Sequence, residues 1–377
     1  MKSLYIHIPF CESRCLYCGF YSTTLLTLRD DYIAALVREM PLREAGSDIG
    51  TVYLGGGTPS QLTSSQLRTL VYNINKVYHV ERDAEITVEC NPDDISKEYA
   101  RGLADMGFNR VSLGAQTFSG ERLKFIRRRH NAAQVDGAVA ALRDAGVGNI
   151  SIDLMFGFPG ETLGEWEDDI RHALSLHPQH ISAYSLMYED GTPLHAMLKN
   201  GKINECGEEL SLAMFETLID MMAAAGYEHY EISNFARLTA TGGKRSPFRS
   251  AHNSNYWKDV PYIGIGAAAH SYDMRERSWN IADIKEYIRI AKTGRRPVGG
   301  SEVIDTDTHY NDIVTTALRT REGICLNDLN GEQREYLLGN ARQMRERGLL
   351  AVSGDNIHLT RKGIFVSDSV MAELIKA

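Results

Sequence analysis

Apolar, β-branched runs recur through the first half of the chain at 4–8, 51–54, 85–88, 110–113, 149–154 and 180–185, with helix-like segments near 29–40, 63–78, 96–106, 131–145 and 162–175. Strand and helix thus alternate every roughly 30 to 45 residues, the spacing of parallel βα units and too long for hairpins. Six such units fit an open doubly wound sheet or a partial barrel, and periodicity alone does not separate the two. The placement of unusual residues does. Cysteines follow the first strand, glycines the second, Glu89 ends the third, Gln116 follows the fourth and Asp153 lies late in the fifth. Parallel α/β folds bind ligands at the carboxyl ends of their strands, so a single site fed by five strand ends favours the barrel.

The loop after the first strand carries Cys11, Cys15 and Cys18, a C-x3-C-x2-C spacing that uses three of the six cysteines. Thiolates packed this closely can converge on one metal centre, and soft sulfur selects zinc, copper(I) or an iron-sulfur cluster. A closed zinc site needs a fourth ligand, for which His7 is the nearby candidate. Three cysteines on a cubane cluster instead leave one iron free to bind something else. Cys90, Cys206 and Cys325 are far apart in sequence and read as structural thiols, with no disulfide framework.

Several polar residues share one design, a strand end followed by turn residues. Gly55-Gly56-Gly57-Thr58-Pro59 lets the backbone approach a ligand closely, although such a triplet alone is as readily a tight turn. Glu89-Cys-Asn-Pro92 ends its strand at Asn-Pro and leaves a carboxylate at the mouth, or a solvated loop glutamate. Gln116 and Asp153 lie among apolar neighbours, and an Asp within Ile152-Asp153-Leu154 needs a partner if buried. Arg127-Arg128-Arg129-His130 is a basic cluster of the kind usually found on a solvated face, in which one guanidinium could fork onto a carboxylate. His252-Asn-Ser-Asn-Tyr256-Trp257 sets an imidazole ahead of two aromatics. That order suits a flat macrocycle with a ligated metal, but the residues alone favour a histidine capping a helix whose Tyr256 and Trp257 are core. The small residues of 264–269, before His270, predict close packing near the site.

After residue 186 the rhythm changes to a helix near 207–225 and a basic, glycine-containing loop at 238–250. Helices at 307–319 and 332–347 then precede a hairpin formed by 349–352 and 357–360, the order of a small winged-helix-like unit. The expected division is a barrel over 1–235, a connecting segment over 236–300 that carries the His252 motif, and a winged-helix-like domain over 301–377. A net charge of −8 and a pI of about 5.9 argue against a nucleic-acid partner and leave packing or partner recognition as the role of that last unit. No run approaches the ~18 apolar residues of a membrane span, and no secretory leader is visible, so the cytoplasm is the expected location.

The cysteine spacing, with Tyr17 just before the last thiol, resembles the signature of the radical SAM superfamily. Tyr5-x-His7-x-Pro9-Phe10-Cys11, the glycine triplet, Glu89-x-Asn91-Pro92, Gln116, Asp153-Leu-Met-Phe-Gly157 and Pro193 in turn are similar, over most of the chain, to the family of oxygen-independent coproporphyrinogen III oxidase and its relatives. The fold implied is a partial (βα)6 TIM-like barrel followed by the winged-helix-like domain. The resemblance implies a 4Fe-4S cluster on Cys11, Cys15 and Cys18. It implies that S-adenosylmethionine contacts Tyr5, Tyr17, Gly56, Gly57, Thr58, Glu89, Gln116, Arg128 and Asp153. The oxidase branch carries a fourth cysteine two positions after the third, where this chain has Phe20, and a longer N-terminal segment. The haem-chaperone branch carries the phenylalanine and the His-Asn-x-x-Tyr-Trp motif. That branch implies haem as cargo with His252 as its candidate ligand, and apo-haemoprotein clients such as respiratory enzymes, reached with at most peripheral membrane contact. The alternative is oxidative decarboxylation of a porphyrinogen through a radical derived from S-adenosylmethionine, which Phe20 disfavours. The loop 238–251 is longer than the family needs.

Overall fold

The computed structural model describes residues 1–239 and 245–376, so part of the 238–251 loop, residues 240–244, lies outside the described residues. Six parallel strands stand side by side in chain order: β1 (Lys2–Ile8), β2 (Asp48–Gly56), β3 (His79–Cys90), β4 (Arg110–Gln116), β5 (Asn149–Phe156) and β6 (His180–Ser185). Helices in the intervals return the chain to the next strand, as in the partial barrel expected. Three of them begin at capping boxes, Thr63 with Gln66, Asn131 with Gln134 and Thr162 with Glu165, where side chain and backbone satisfy each other's free donors.

The sheet stays open and grows at both edges. Beyond β6 lie antiparallel β8 (Asn234–Arg237) and β7 (Tyr227–Glu231). On the other side β9 (Tyr262–Ile265) runs parallel to β1, followed by β10 (His270–Tyr272), β11 (Glu276–Asn280) and β12 (Val298–Val303). The stretch 236–300, which carries the His252 motif, contributes strands to one edge of the main sheet. Close packing there matches the small residues seen in sequence, since a Cβ on Gly266 would press on the Tyr32 hydroxyl and the His7 carbonyl.

The strand pattern explains why the sheet curves round a cavity rather than lying between two helical layers. On β4, Val111, Leu113 and Ala115 are fully buried against the helices, whereas Arg110, Ser112, Gly114 and Gln116 face the cavity. On β5 the helix side holds Ile150, Ile152 and Leu154, and Asp153 and Met155 line the cavity. A doubly wound sheet covered on both faces would be apolar on both. One apolar face per strand closes a single large core that includes Tyr32, Leu36, Leu70, Leu142, Trp166 and Ile170.

The C-terminal unit has its own core. Helices Thr306–Ala317 and Gly331–Glu346 pack with a small sheet of β13 (Ile324–Cys325), β15 (Asn356–Leu359) and β14 (Leu350–Ser353) around Tyr310, Val314, Leu337 and Ile357. It meets the main sheet through backbone bonds from Ile232 to Arg319 and from Arg321 to Tyr230, and through Arg321 on Glu228 at 3.3 Å. No helix among the described residues is long and apolar enough to cross a membrane.

Candidate functional site

The three-cysteine loop has no regular structure, yet it is pinned at both ends and in the middle. Cys11 N–H donates to the Thr23 carbonyl at 2.9 Å, and Thr23 N–H donates to that of Pro9 at 2.7 Å. Between the thiols, Leu16 is buried in a small core with Ile126, Met155, Phe158, Leu186 and Leu194. Its backbone bonds to Ile126 and Leu194 at 3.3 and 3.0 Å. A buried leucine between two half-exposed cysteines holds the sulfur atoms towards the cavity.

That cavity, about 390 Å³, opens at the carboxyl ends of β1–β6. Cys11, Cys15, Cys18 and Tyr17 form one wall, the glycine turn Gly56-Gly57-Thr58 another, and Glu89, Gln116, Arg128 and Asp153 the rest. Gly56 has φ +112° and a Cβ there would run into the His7 ring; one on Gly57 would lie 2.7 Å from the Pro9 backbone. Only glycine lets this turn sit so close to β1. Gln116 adopts φ +66° where the β4–β5 register slips, a conformation that L side chains rarely take and that clusters at ligand sites.

Opposite charges alternate around the walls. Arg128 donates to Asn91 Oδ1 at 2.8 Å and to the Gly114 carbonyl at 2.5 Å, its other terminal nitrogen lies 3.8 Å from Cys15 Sγ, and its Nε has no partner among the described residues. Arg129, next to it, pairs with Glu12, Asp93 and Asp94 and so ties the cysteine loop to the turn that follows β3. Glu89 accepts from the Tyr53 hydroxyl at 2.7 Å and from Gly56 N–H at 3.1 Å. Burial raises its pKa to about 7, with the nearby Asp153 charge adding to the rise and both hydrogen bonds opposing it. Asp153 accepts from Ser112 at 2.9 and 3.0 Å, and burial raises it as well.

The donor set fits a cluster bound by thiolates. Burial raises Cys11 and takes Cys18 to about 11, and the neighbouring cysteines add to both shifts, which places the three sulfur atoms within electrostatic reach of one another. Thiols held neutral this way ionise when a metal binds, since the metal's charge outweighs desolvation. Among the described residues no three His, Cys, Asp or Glu side chains close on one point as a single ion requires. Thiolates on one loop, each able to take one iron, are the kind of donors that a cluster uses.

Two of the expected residues lie elsewhere. Tyr5 sits below the cavity, its hydroxyl 3.0 Å from His7 Nδ1 and its ring beside Tyr53. His252 is 1% exposed, on the helix Ala251–Trp257 packed under β2. Its Nδ1 lies 2.8 Å from Thr51 Oγ1 and its Nε2 3.0 Å from the Tyr256 hydroxyl, so neither nitrogen is free for iron in this conformation. Burial, with Arg110 nearby, lowers its pKa to about 3, and the ring is neutral. Glu85 accepts from Ala251 and His252 N–H at 3.0 and 2.9 Å, which anchors the helix to β3.

The remaining site residues of the sequence reading converge on the cavity: Cys11, Cys15, Cys18, Tyr17, Gly56, Gly57, Thr58, Glu89, Gln116, Arg128 and Asp153. Sequence reasoning missed Tyr53, Arg110, Ser112, Ser182 and Tyr184, all of which line it. The signal for them is a period of two. Once Gln116 and Asp153 are taken as inward-facing, Ser112 and Arg110 follow two and three pleats behind the first, as Tyr53 does behind Gly55.

A family model described as the radical SAM superfamily matches residues 5–173, and one described as the HemN C-terminal domain matches residues 304–366. A Bacillus subtilis (strain 168) protein named heme chaperone HemW is 35% identical, with 100% of this chain and 99% of that protein covered. The heme chaperone HemW of Lactococcus lactis subsp. lactis (strain IL1403) is also 35% identical, over 99% of this chain and 97% of that protein. Among solved structures, coproporphyrinogen III oxidase (HemN) from Escherichia coli matches 99% of this chain and 90% of its own with a TM-score of 0.84. At 21% identity that likeness is one of fold.

Proposed function

Because the chain belongs to the HemW family of the radical SAM superfamily, we propose that it is a haem chaperone, binding a 4Fe-4S cluster and S-adenosylmethionine in the strand-end cavity and delivering haem to apo-haemoproteins from the cytoplasm. The observation that carries the site is the meeting of three half-exposed thiols with a cavity lined by both signs of charge. Cys11, Cys15 and Cys18 would hold the cluster, which supplies an open iron and an electron when bound.

The chain's own residues suit a zwitterionic sulfonium ligand. Glu89, fixed by Tyr53 and Gly56, faces the ammonium; Arg128, with an unpartnered Nε, faces the carboxylate; Ser112 and Asp153 offer acceptors to ribose hydroxyls. Tyr17, Gly57, Thr58 and the strained Gln116 complete the walls, and Tyr5 supports them from below. We assign this work to 1–235, the seating of the motif helix to 236–300, and packing or client recognition to 301–377. His252 belongs to a haem-bound state only after giving up Thr51 and Tyr256.

Phe20 supports transfer over porphyrinogen chemistry. It stands 70% exposed at the mouth, where the oxidase branch resembled in sequence carries a further thiol. The test is an anaerobic haem titration of the full-length, cluster-reconstituted protein, followed by mixing with an apo-haemoprotein, with and without S-adenosylmethionine. Near-stoichiometric binding and transfer are expected. Absence of haem binding, together with decarboxylation of a supplied porphyrinogen, would overturn the proposal in favour of the enzyme.

A further inference from the structure

We propose that His252 is a positioning residue of the S-adenosylmethionine site, seating Tyr53 so that the Tyr53 hydroxyl fixes Glu89; this rests on the assignment of Glu89 to the ligand's ammonium. The path is continuous. The Glu85 carboxylate holds the start of the motif helix, which carries His252 under β2. The His252 ring lies against Tyr53 with centroids 4.9 Å apart and planes 28° from parallel, and Tyr5 flanks Tyr53 at 6.2 Å and 27°. Tyr5 and His252 are themselves 6.5 Å apart, so the three rings pack against one another as a triangle. Held on that side, Tyr53 donates to Glu89 at 2.7 Å, and the other Glu89 oxygen accepts from Gly56 N–H at 3.1 Å.

The chemistry of the floor argues against simple filling. An apolar side chain could occupy the place of His252 without partners, whereas a buried imidazole needs both nitrogens satisfied. Thr51 and Tyr256 meet that need and fix the plane of the ring. A neutral ring also places no second cation beside the carboxylate that must attract the ligand's ammonium. The sequence motif thereby acquires a role at the cavity, although His252 does not line it.

The test measures S-adenosylmethionine affinity by equilibrium dialysis on the cluster-reconstituted, full-length protein. Loss of one hydrogen bond to a charged group predicts roughly tenfold weaker binding in Tyr53→Phe and a similar loss in His252→Ala. If His252 acts through Tyr53, the double variant is also weakened roughly tenfold, not a hundredfold. The pH profile adds a readout that loose packing would not move. Removing the Tyr53 hydroxyl lifts the midpoint for Glu89, whose other neighbours Tyr5, Arg110, Asp153, Tyr184 and Tyr256 are unchanged. Should His252→Ala fail to fold, Thr51→Val replaces it, with a threefold or larger loss expected, roughly half the worth of a buried bond. Wild-type affinity in the variants, or multiplied losses in the double variant, would overturn the proposal. Wild-type protein that binds no S-adenosylmethionine would overturn the site assignment itself, and this proposal with it.

Discussion

The wall and the floor of the cavity are built on opposite rules. On the wall, the cysteine loop has no regular structure, its thiols are half exposed, and the Arg128 Nε beside it has no partner among the described residues. On the floor, Thr51, His252, Tyr53 and Glu85 sit in a lattice of bonds between 2.7 and 3.0 Å that leaves no imidazole nitrogen idle. The contrast separates two kinds of important residue. Wall groups are left incomplete because a ligand completes them, and floor groups are complete because they hold the wall in place.

The sharpest way to break this comparison is to remove the wall's thiols together. Cys11→Ala with Cys15→Ala and Cys18→Ala should drop iron from about four per chain to background. Thermal unfolding of the unreconstituted chain should barely move, because none of the three is in the core. A large stability loss would place them with the floor.

Next, Arg128→Met should weaken S-adenosylmethionine roughly 10- to 100-fold, the worth of a charge-assisted bond. Equal affinity by dialysis would mean that its bonds to Asn91 and Gly114 exhaust its role.

Glu89 sharpens the comparison through pH. Its folded pKa is about 7 against an ordinary 4.5, so the ligand-free protein is most stable with it protonated and loses stability as pH rises through that interval. The loss amounts to about 2–3 kcal/mol, and Glu89→Gln should abolish that share of the slope in denaturant titrations at pH 4.5 and 8. Ligand affinity has the opposite sign, rising with pH as the carboxylate ionises. A Glu89→Gln slope equal to wild type would show that the carboxyl is not desolvated.

The smallest expected effect belongs to the floor. Thr51→Val keeps volume and leaves His252 Nδ1 unpaired, costing about 1–2 kcal/mol in denaturant unfolding with iron content unchanged. Loss of iron instead would mean that floor and wall are not separable.

Much of this molecule is legible in sequence because local patterns coincide with tertiary needs. Thr63-x-x-Gln66 and Asn131-x-x-Gln134 announce helix starts that the structure places within a residue. The cysteine loop, glycine turn and strand-end Glu89, Gln116 and Asp153 all carry residue types that turns or apolar strands would not choose. Other features depend on distant partners. β3 begins at His79, six residues before the apolar run that reveals it, because the charged 81–83 stretch hides a strand whose pairing with β2 is interrupted by a bulge. β9 is four residues long and exists because β1 offers an edge. For His252 the sequence shows an imidazole ahead of two aromatics, whereas its bonds to Thr51 and Tyr256 depend on residues the motif does not show as partners.

The pairing of β1 with β9 also has a meaning in time. Ser3 is made 259 residues before its neighbour Tyr262 (262 − 3 = 259). At ribosomal rates of about 5–20 residues per second, β1 waits roughly ten to fifty seconds with that edge unpaired, after the three cysteines have already emerged. An open strand edge can pair with other chains and free thiols are reactive, so the chain is exposed to both hazards during that interval. A chain stalled before Tyr262 would carry the complete cysteine loop beside a β1 edge that lacks its β9 partner.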